Sequence, residues 1–267
     1  MYWIEEGNGP AVLLLHGQPG HGENFRPVIN HIKNHSAVFA PDRPGYGRSK
    51  EPAAGVFYCA RILAKELRDK GLDELTVVGH SYGGAVALAL AESNPELVRN
   101  LVLLAPAGTR SSIDDLDRLL TLKYIGELVA LGGLLTIDYF LPWLKRNLED
   151  TWLPTFAEKK LKYLLRHTSS HNVSTRPIIR TLSTFMIEQR AIVAEIGALE
   201  SSLHKIKVPV QVVSGSQDDV VKPEASKELS ELLKYGRFEL IEGAGHLLLS
   251  ESTLRVADYI LSASRSN

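Results

Sequence analysis

Leu75-Thr76-Val77-Val78-Gly79-His80-Ser81-Tyr82-Gly83-Gly84, running on into a small-residue helical stretch at 85–93, decides the fold. Its opening is a short apolar run of strand type, its end is a helix, and the turn between them holds a G-x-S-x-G. A serine so placed forms a nucleophile elbow: the glycines let the backbone bend sharply, while the serine is held in a strained conformation with its hydroxyl presented. The elbow sets the Tyr82 N–H beside that hydroxyl and aims the positive end of the following helix at any oxyanion that forms there.

Working outward, similar apolar runs occupy residues 11–16, 36–40, 101–105, 208–214 and 237–242, each followed by Gly, Pro or Asp and then by a helical pattern. The runs are near-continuous rather than alternating, as strands buried on both faces should be. The alternation predicts an α/β fold with a mostly parallel, doubly wound sheet.

A serine hydroxyl is a weak nucleophile that needs a base, and the base needs an orienting group. Both should sit on later strand ends. The run ending at Ser214 leads into Gly215-Ser216-Gln217-Asp218-Asp219, which offers a carboxylate, and the last run leads into Gly243-Ala244-Gly245-His246. His246 is the expected base and Asp218 the expected orienting acid, with Asp219 its rival. His80 belongs to the elbow itself, and His31, His35, His167, His171 and His204 lie in polar surroundings. The first strand runs into His16-Gly17-Gln18-Pro19-Gly20, whose Gln18 N–H is a second oxyanion donor to partner Tyr82. The Gln18-Pro19 bond can be cis.

Between Pro106 and Lys207 no comparable strand signal occurs for about a hundred residues, too long for an ordinary connection. Leu116, Leu120, Tyr124, Leu128, Leu131 and Leu135 recur at helical spacing, and further helical patterns occupy 154–165 and 177–196, among Pro142, Pro154 and Pro177. The expectation is a helical cap at 107–206 inserted into a core made of 1–106 and 207–267. The apolar stretch 128–144 is short for a membrane span and is broken by Gly132, Gly133, Asp138 and Pro142, so it reads as a buried cap helix.

Composition limits the partners. The 30 Lys and Arg balance 31 Asp and Glu, which removes the electrostatic case for a nucleic-acid binder. With 44% apolar and 23% charged residues the chain can bury a core of its own. The single Cys59 cannot form an internal disulfide, and the opening residues lack the basic start and apolar stretch of a signal peptide, which predicts a cytoplasmic location.

The segments HGQPG at 16–20, PDRPGYGRS at 41–49, GHSYGG at 79–84, NPELVRNLVLLAPAG at 94–108, SGSQDDVVKP at 214–223 and EGAGHLLLSE at 242–251 together resemble the capped branch of the α/β-hydrolase fold superfamily. The order Ser81, Asp218, His246 is the triad order of that superfamily. The resemblance implies a sheet of about seven strands, an acyl-enzyme on Ser81, no metal or organic cofactor, and a small to medium hydrophobic carboxylic ester as substrate. It leaves open a lactone, a C–C bond, an amide or imino-peptide, or peracid formation, and a slow-turnover receptor on the same scaffold. Ser81, where some relatives carry aspartate, argues against epoxide hydrolase and haloalkane dehalogenase chemistry. The superfamily usually opens with an antiparallel hairpin, and here one edge strand looks absent.

Overall fold

A computed structural model describes residues 1–121 and 175–265. Seven strands form one sheet: β1 (Trp3–Glu6), β2 (Ala11–Leu15), β3 (Ala37–Pro41), β4 (Leu75–His80), β5 (Val98–Leu104), β6 (Val210–Gly215) and β7 (Gly236–Ile241). Their order across the sheet is β1-β3-β2-β4-β5-β6-β7. Every pairing is parallel except that of β1 with β3, so a single antiparallel strand stands at that edge.

The described helices are α1 (Arg26–Ile32), α2 (Val56–Asp69), α3 (Tyr82–Ser93), α4 (Asp115–Thr121), α5 (Thr175–Ser202), α6 (Pro223–Leu232), α7 (Leu248–Glu251) and α8 (Thr253–Arg265). Successive strand residues point to opposite faces. In β2, Leu13 and Leu15 join the core built with α2 and α3, while Val12 and Leu14 join the core built with α1 and α8. Both faces are therefore covered, and the sheet is doubly wound.

Strand β5 starts at Val98, three residues before the apolar run suggests. Asn100 accounts for part of this: it pairs with Thr76 in the ladder and donates its side-chain amide to the Ala263 carbonyl at 2.8 Å. The predicted helix at 177–196 is longer at both ends, because α5 begins at Thr175 and continues to Ser202. Pro177 falls in its first turn, where a missing N–H breaks no helical bond. At the other end Ile192, Ile196 and Leu199, followed by Leu203, extend one apolar stripe into the core cluster beside α3. Of the leucine pattern starting at Leu116, α4 is the described part; residues 124–135, the apolar stretch 128–144 and the helical pattern at 154–165 lie outside the described residues. Among the described residues no helix is long and apolar enough to cross a membrane.

The chain crosses back between β3 and β4, so neighbouring strands β2 and β4 lead their loops away in opposite directions. A crevice opens there, at the carboxyl ends of the strands, as it does in other open α/β sheets. Leu15 pairs with Gly79, which sets the loop after β2 directly beside the turn after β4.

Candidate active site

Ser81 caps the start of α3 with φ 54° and ψ −122°, a left-handed conformation that non-glycine residues avoid. Strain of this kind costs on the order of 1–3 kcal/mol and persists only where neighbours over-determine it. Here the Ser81 N–H donates to the Leu104 carbonyl at 3.0 Å, while the Ser81 carbonyl accepts from Gly84 at 2.8 Å and Ala107 at 3.1 Å. The flanking glycines are a matter of space. A Cβ on Gly83 would stand 2.1 Å from the Leu15 carbonyl oxygen, and one on Gly79 would stand 2.5 Å from the Gly83 oxygen. A side chain at Gly83 would push the elbow off β2, and one at Gly79 would push α3 away from its own strand.

Gly17 lies against Ser81: a Cβ there would be 3.0 Å from the Ser81 Cβ. The next peptide, Gln18-Pro19, is cis. Gln18, Ser81 and Tyr82 line one cleft together with Ala107, Ser112, Ile113, Asp117, Phe185, Gln189, Ile192, Val220 and Val221.

Asp218 follows β6 and is buried, and Asp219 is exposed. The two oxygens of Asp218 have separate work. Oδ1 accepts the backbone N–H groups of Val220 and Val221 at 2.8 and 2.9 Å, and Oδ2 accepts Nδ1–H of His246 at 2.8 Å. A carboxylate only accepts, so the imidazole proton sits on Nδ1 and Nε2 is the basic nitrogen. His80 ties this pair to the elbow: its Nε2 lies 2.9 Å from the His246 carbonyl oxygen, and the two rings are 5.0 Å apart. The structure thus joins Asp218 to His246, and sets Ser81, Gln18 and Tyr82 around one cleft.

The largest feature that motif reading missed is Arg43, in the PDRPGYGRS turn after β3. It is fully buried and forms an ion pair with Glu188 of α5, which is 1% exposed. Its remaining donors go to the backbone of the β2 loop: Nε to the His16 carbonyl at 2.8 Å and NH2 to the Gly17 carbonyl at 3.0 Å. Its guanidinium also stacks 4.6 Å from the centre of the Tyr82 ring. Tyr46 donates its hydroxyl to Glu188 at 2.8 Å. Burial alone would lower the Arg43 pKa, and the adjoining carboxylate more than reverses this, so the guanidinium stays charged. One cation therefore holds the β2 loop, the elbow tyrosine and α5 together. A clue was available: an arginine within a Pro- and Gly-rich turn directly after a buried strand.

His16 is held in the same cluster. Its Nε2 accepts the Arg43 N–H at 2.9 Å, and its Nδ1 lies 2.8 Å from the Gly17 oxygen. Burial, reinforced by the Arg43 charge, keeps its pKa well below the ordinary 6.5. Burial pushes the Cys59 thiol up to about 12, which keeps it in its unreactive protonated form. Among the described residues no group of three or more His, Cys, Asp and Glu is arranged to hold a metal ion.

Comparison with known proteins agrees with this fold. The profile of the alpha/beta hydrolase fold matches residues 10–253. Lipase 1 of Psychrobacter immobilis is 25% identical over 264 residues, covering 97% of this chain and 78% of the lipase. A 2-hydroxy-6-oxo-6-(2'-aminophenyl)hexa-2,4-dienoic acid hydrolase of Metapseudomonas resinovorans is 27% identical over 268 residues, covering 97% of this chain and 86% of that enzyme. Among solved structures, a thermophilic esterase of Thermogutta terrifontis superposes with a TM-score of 0.71 at 20% identity, covering 99% of this chain and 94% of its own. An esterase of Exiguobacterium antarcticum gives 0.73 at 20% identity, covering 99% and 95%. With Ser81 at positive φ in a strand-to-helix turn at the switch point of a doubly wound sheet and a profile match across residues 10–253, the chain belongs to the alpha/beta hydrolase fold family.

Proposed function

We propose that this enzyme is a serine hydrolase that forms an acyl-enzyme on Ser81, and that its substrate is a small to medium hydrophobic carboxylic ester. The observation that carries the reading is the buried His246 Nδ1 to Asp218 Oδ2 hydrogen bond, which leaves a basic Nε2 in a fold whose elbow holds Ser81 at positive φ.

In this reading Nε2 of His246 takes the Oγ proton as Ser81 attacks the carbonyl carbon. The developing oxyanion accepts from the N–H groups of Gln18 and Tyr82. His246 then protonates the departing alkoxide, and later takes a proton from the water that cleaves the acyl-enzyme. Asp218 orients the ring and stabilises the imidazolium. Ala107, Ile113, Phe185, Ile192, Val220 and Val221 supply apolar lining beside the nucleophile, which favours a hydrocarbon acyl chain. Four of these, Ala107, Ile113, Phe185 and Ile192, fall within the cap assigned to 107–206.

Labelling with a fluorophosphonate tests the nucleophile. The wild type should label and Ser81→Ala should not. A folded wild type that fails to label would overturn the proposal. A panel of p-nitrophenyl esters of graded acyl length, run beside lactones, amides and peracid formation, then reads the substrate class.

A further inference from the structure

The cleft beside Ser81 is not apolar throughout. On one side it ends in a hydrogen-bonded chain that the proposed mechanism does not use. Asp117 of α4, Gln189 of α5 and Gln18 of the β2 loop come from three separate segments and all line the cleft. Asp117 and Gln189 are buried, at 7% and 2% exposure. Gln189 Nε2 donates to Asp117 Oδ1 at 2.9 Å, and Gln18 Nε2 donates to Gln189 Oε1 at 2.7 Å. The second oxygen of Asp117 accepts the Asp114 N–H at 3.1 Å.

The direction of both amides is set from the carboxylate end. Because a carboxylate only accepts, Gln189 must turn its NH2 toward Asp117 and its oxygen toward Gln18. Gln18 must then turn its own NH2 toward Gln189, so the chain ends in the Gln18 oxygen. That Oε1 is buried and has no hydrogen-bond partner among the described residues. A buried acceptor without a donor is costly, and it rewards a ligand that brings one.

We infer that the Asp117-Gln189-Gln18 chain reads the polarity of the substrate, and that the site takes esters carrying a hydrogen-bond donor, a hydroxyl or an amide N–H, a few bonds from the carbonyl that Ser81 attacks. The inference rests on the proposed nucleophile. The placement follows from Gln18, whose backbone N–H is assigned to the oxyanion and whose side chain ends the chain. The apolar wall accepts the rest of the acyl group.

Ethyl β-hydroxybutyrate and ethyl β-oxobutyrate form the test pair, since the first brings a donor where the second brings only an acceptor. Wild type should favour the hydroxy ester by roughly ten- to a hundredfold in kcat/KM. Asp117→Asn reverses the chain: the new side chain keeps its oxygen for the Asp114 N–H and turns its NH2 toward Gln189. Both glutamines then rotate, and Gln18 ends in a donor. The preference should fall to parity or invert. Gln189→Leu, which cuts the chain, should also bring the ratio near parity, and it serves if Asp117→Asn does not fold.

The same esters are titrated calorimetrically into Ser81→Ala, Ser81→Ala/Asp117→Asn and Ser81→Ala/Gln189→Leu, where no acyl transfer to Ser81 can occur. The hydroxy ester should bind more tightly in the first and lose its advantage in the other two. Equal ratios across the three overturn the inference, whether or not wild type hydrolyses either ester. A ratio that shifts in a protein with no turnover of any ester leaves the inference standing and overturns the hydrolase reading alone.

Discussion

Arg43 and Glu188, 145 residues apart in the chain, form a fully buried ion pair that joins the turn after β3 to the middle of α5. Glu188 Oε2 accepts from Arg43 NH2 at 3.2 Å and from the Tyr46 hydroxyl at 2.8 Å, so the carboxylate is held from two sides. Because the same guanidinium binds the His16 and Gly17 carbonyls, the pair orients the loop that carries Gln18.

Removing one charge of such a pair strands the other. Glu188→Gln should cost about 3–5 kcal/mol of stability, and replacing both partners by apolar residues should recover much of it. Urea unfolding of Glu188→Gln and of Arg43→Met/Glu188→Leu measures this. The double variant should nonetheless stay slow on esters, since the His16 and Gly17 carbonyls lose their donor. If it is as stable as wild type and fully active, the ion pair has no role in holding the loop.

The two neighbouring aspartates should separate cleanly. Asp218→Asn keeps the shape but replaces an acceptor of Nδ1–H with a group that also donates, so the imidazole turns to the wrong tautomer; kcat should fall by about 10⁴-fold, as in the related triad case. Asp219→Asn, at an exposed position, should change kcat by less than about threefold. The opposite ranking in ester kinetics would remove Asp218 from its assigned role.

His16 gives stability a pH dependence with a defined sign. Its folded pKa lies well below 6.5 while the unfolded chain titrates near 6.5, so below that pH the unfolded state binds more protons. Stability is therefore intact above the unfolded value and lost as pH falls below it, by at most about 1.4 kcal/mol per pH unit. Urea midpoints between pH 8 and 5 should show this acid slope in wild type and a shallower one in His16→Gln. Equal slopes would place the acid sensitivity elsewhere.

Gly83→Ala tests how closely the elbow approaches β2. The added Cβ meets backbone oxygen, which cannot swing aside as a side chain can. Overpacking of this kind costs about 1–3 kcal/mol, and here it should also displace Ser81. The expected result is a lower unfolding midpoint together with a loss of fluorophosphonate labelling rate. Unchanged labelling would show that the β2 loop yields without moving the nucleophile.

The core strands were legible in the sequence because burial on both faces leaves little room for polar residues, and residues 11–15 show this in β2. The elbow was legible because its constraints are local: Gly79 and Gly83 are required by contacts a few residues away or one strand over. His246 and Asp218 could be picked out because both follow strand ends. Nothing local announces Arg43 with Glu188, or Gln18 with Gln189, because each pair forms only when α5 is laid over the sheet. The same holds for the end of α5. Gly197 looks like a stopping point, yet the stripe from Ile192 to Leu203 carries the helix through it, since tertiary burial outweighs the propensity cost of one glycine.

The polar bridge through Arg43, Glu188, Gln189 and Asp117 also has a consequence for recombination. All of its partners outside the sheet core sit on α4 and α5, the two described helices that flank residues 122–174. A graft that exchanges 122–174 for the corresponding piece of a relative, with junctions directly after Thr121 and directly before Thr175, would keep every one of these bonds. A graft that takes α5 as well must import its own partner for Arg43. The chain thus marks its own crossover points, and an exchange made between them leaves the loop that carries Gln18 on its original supports.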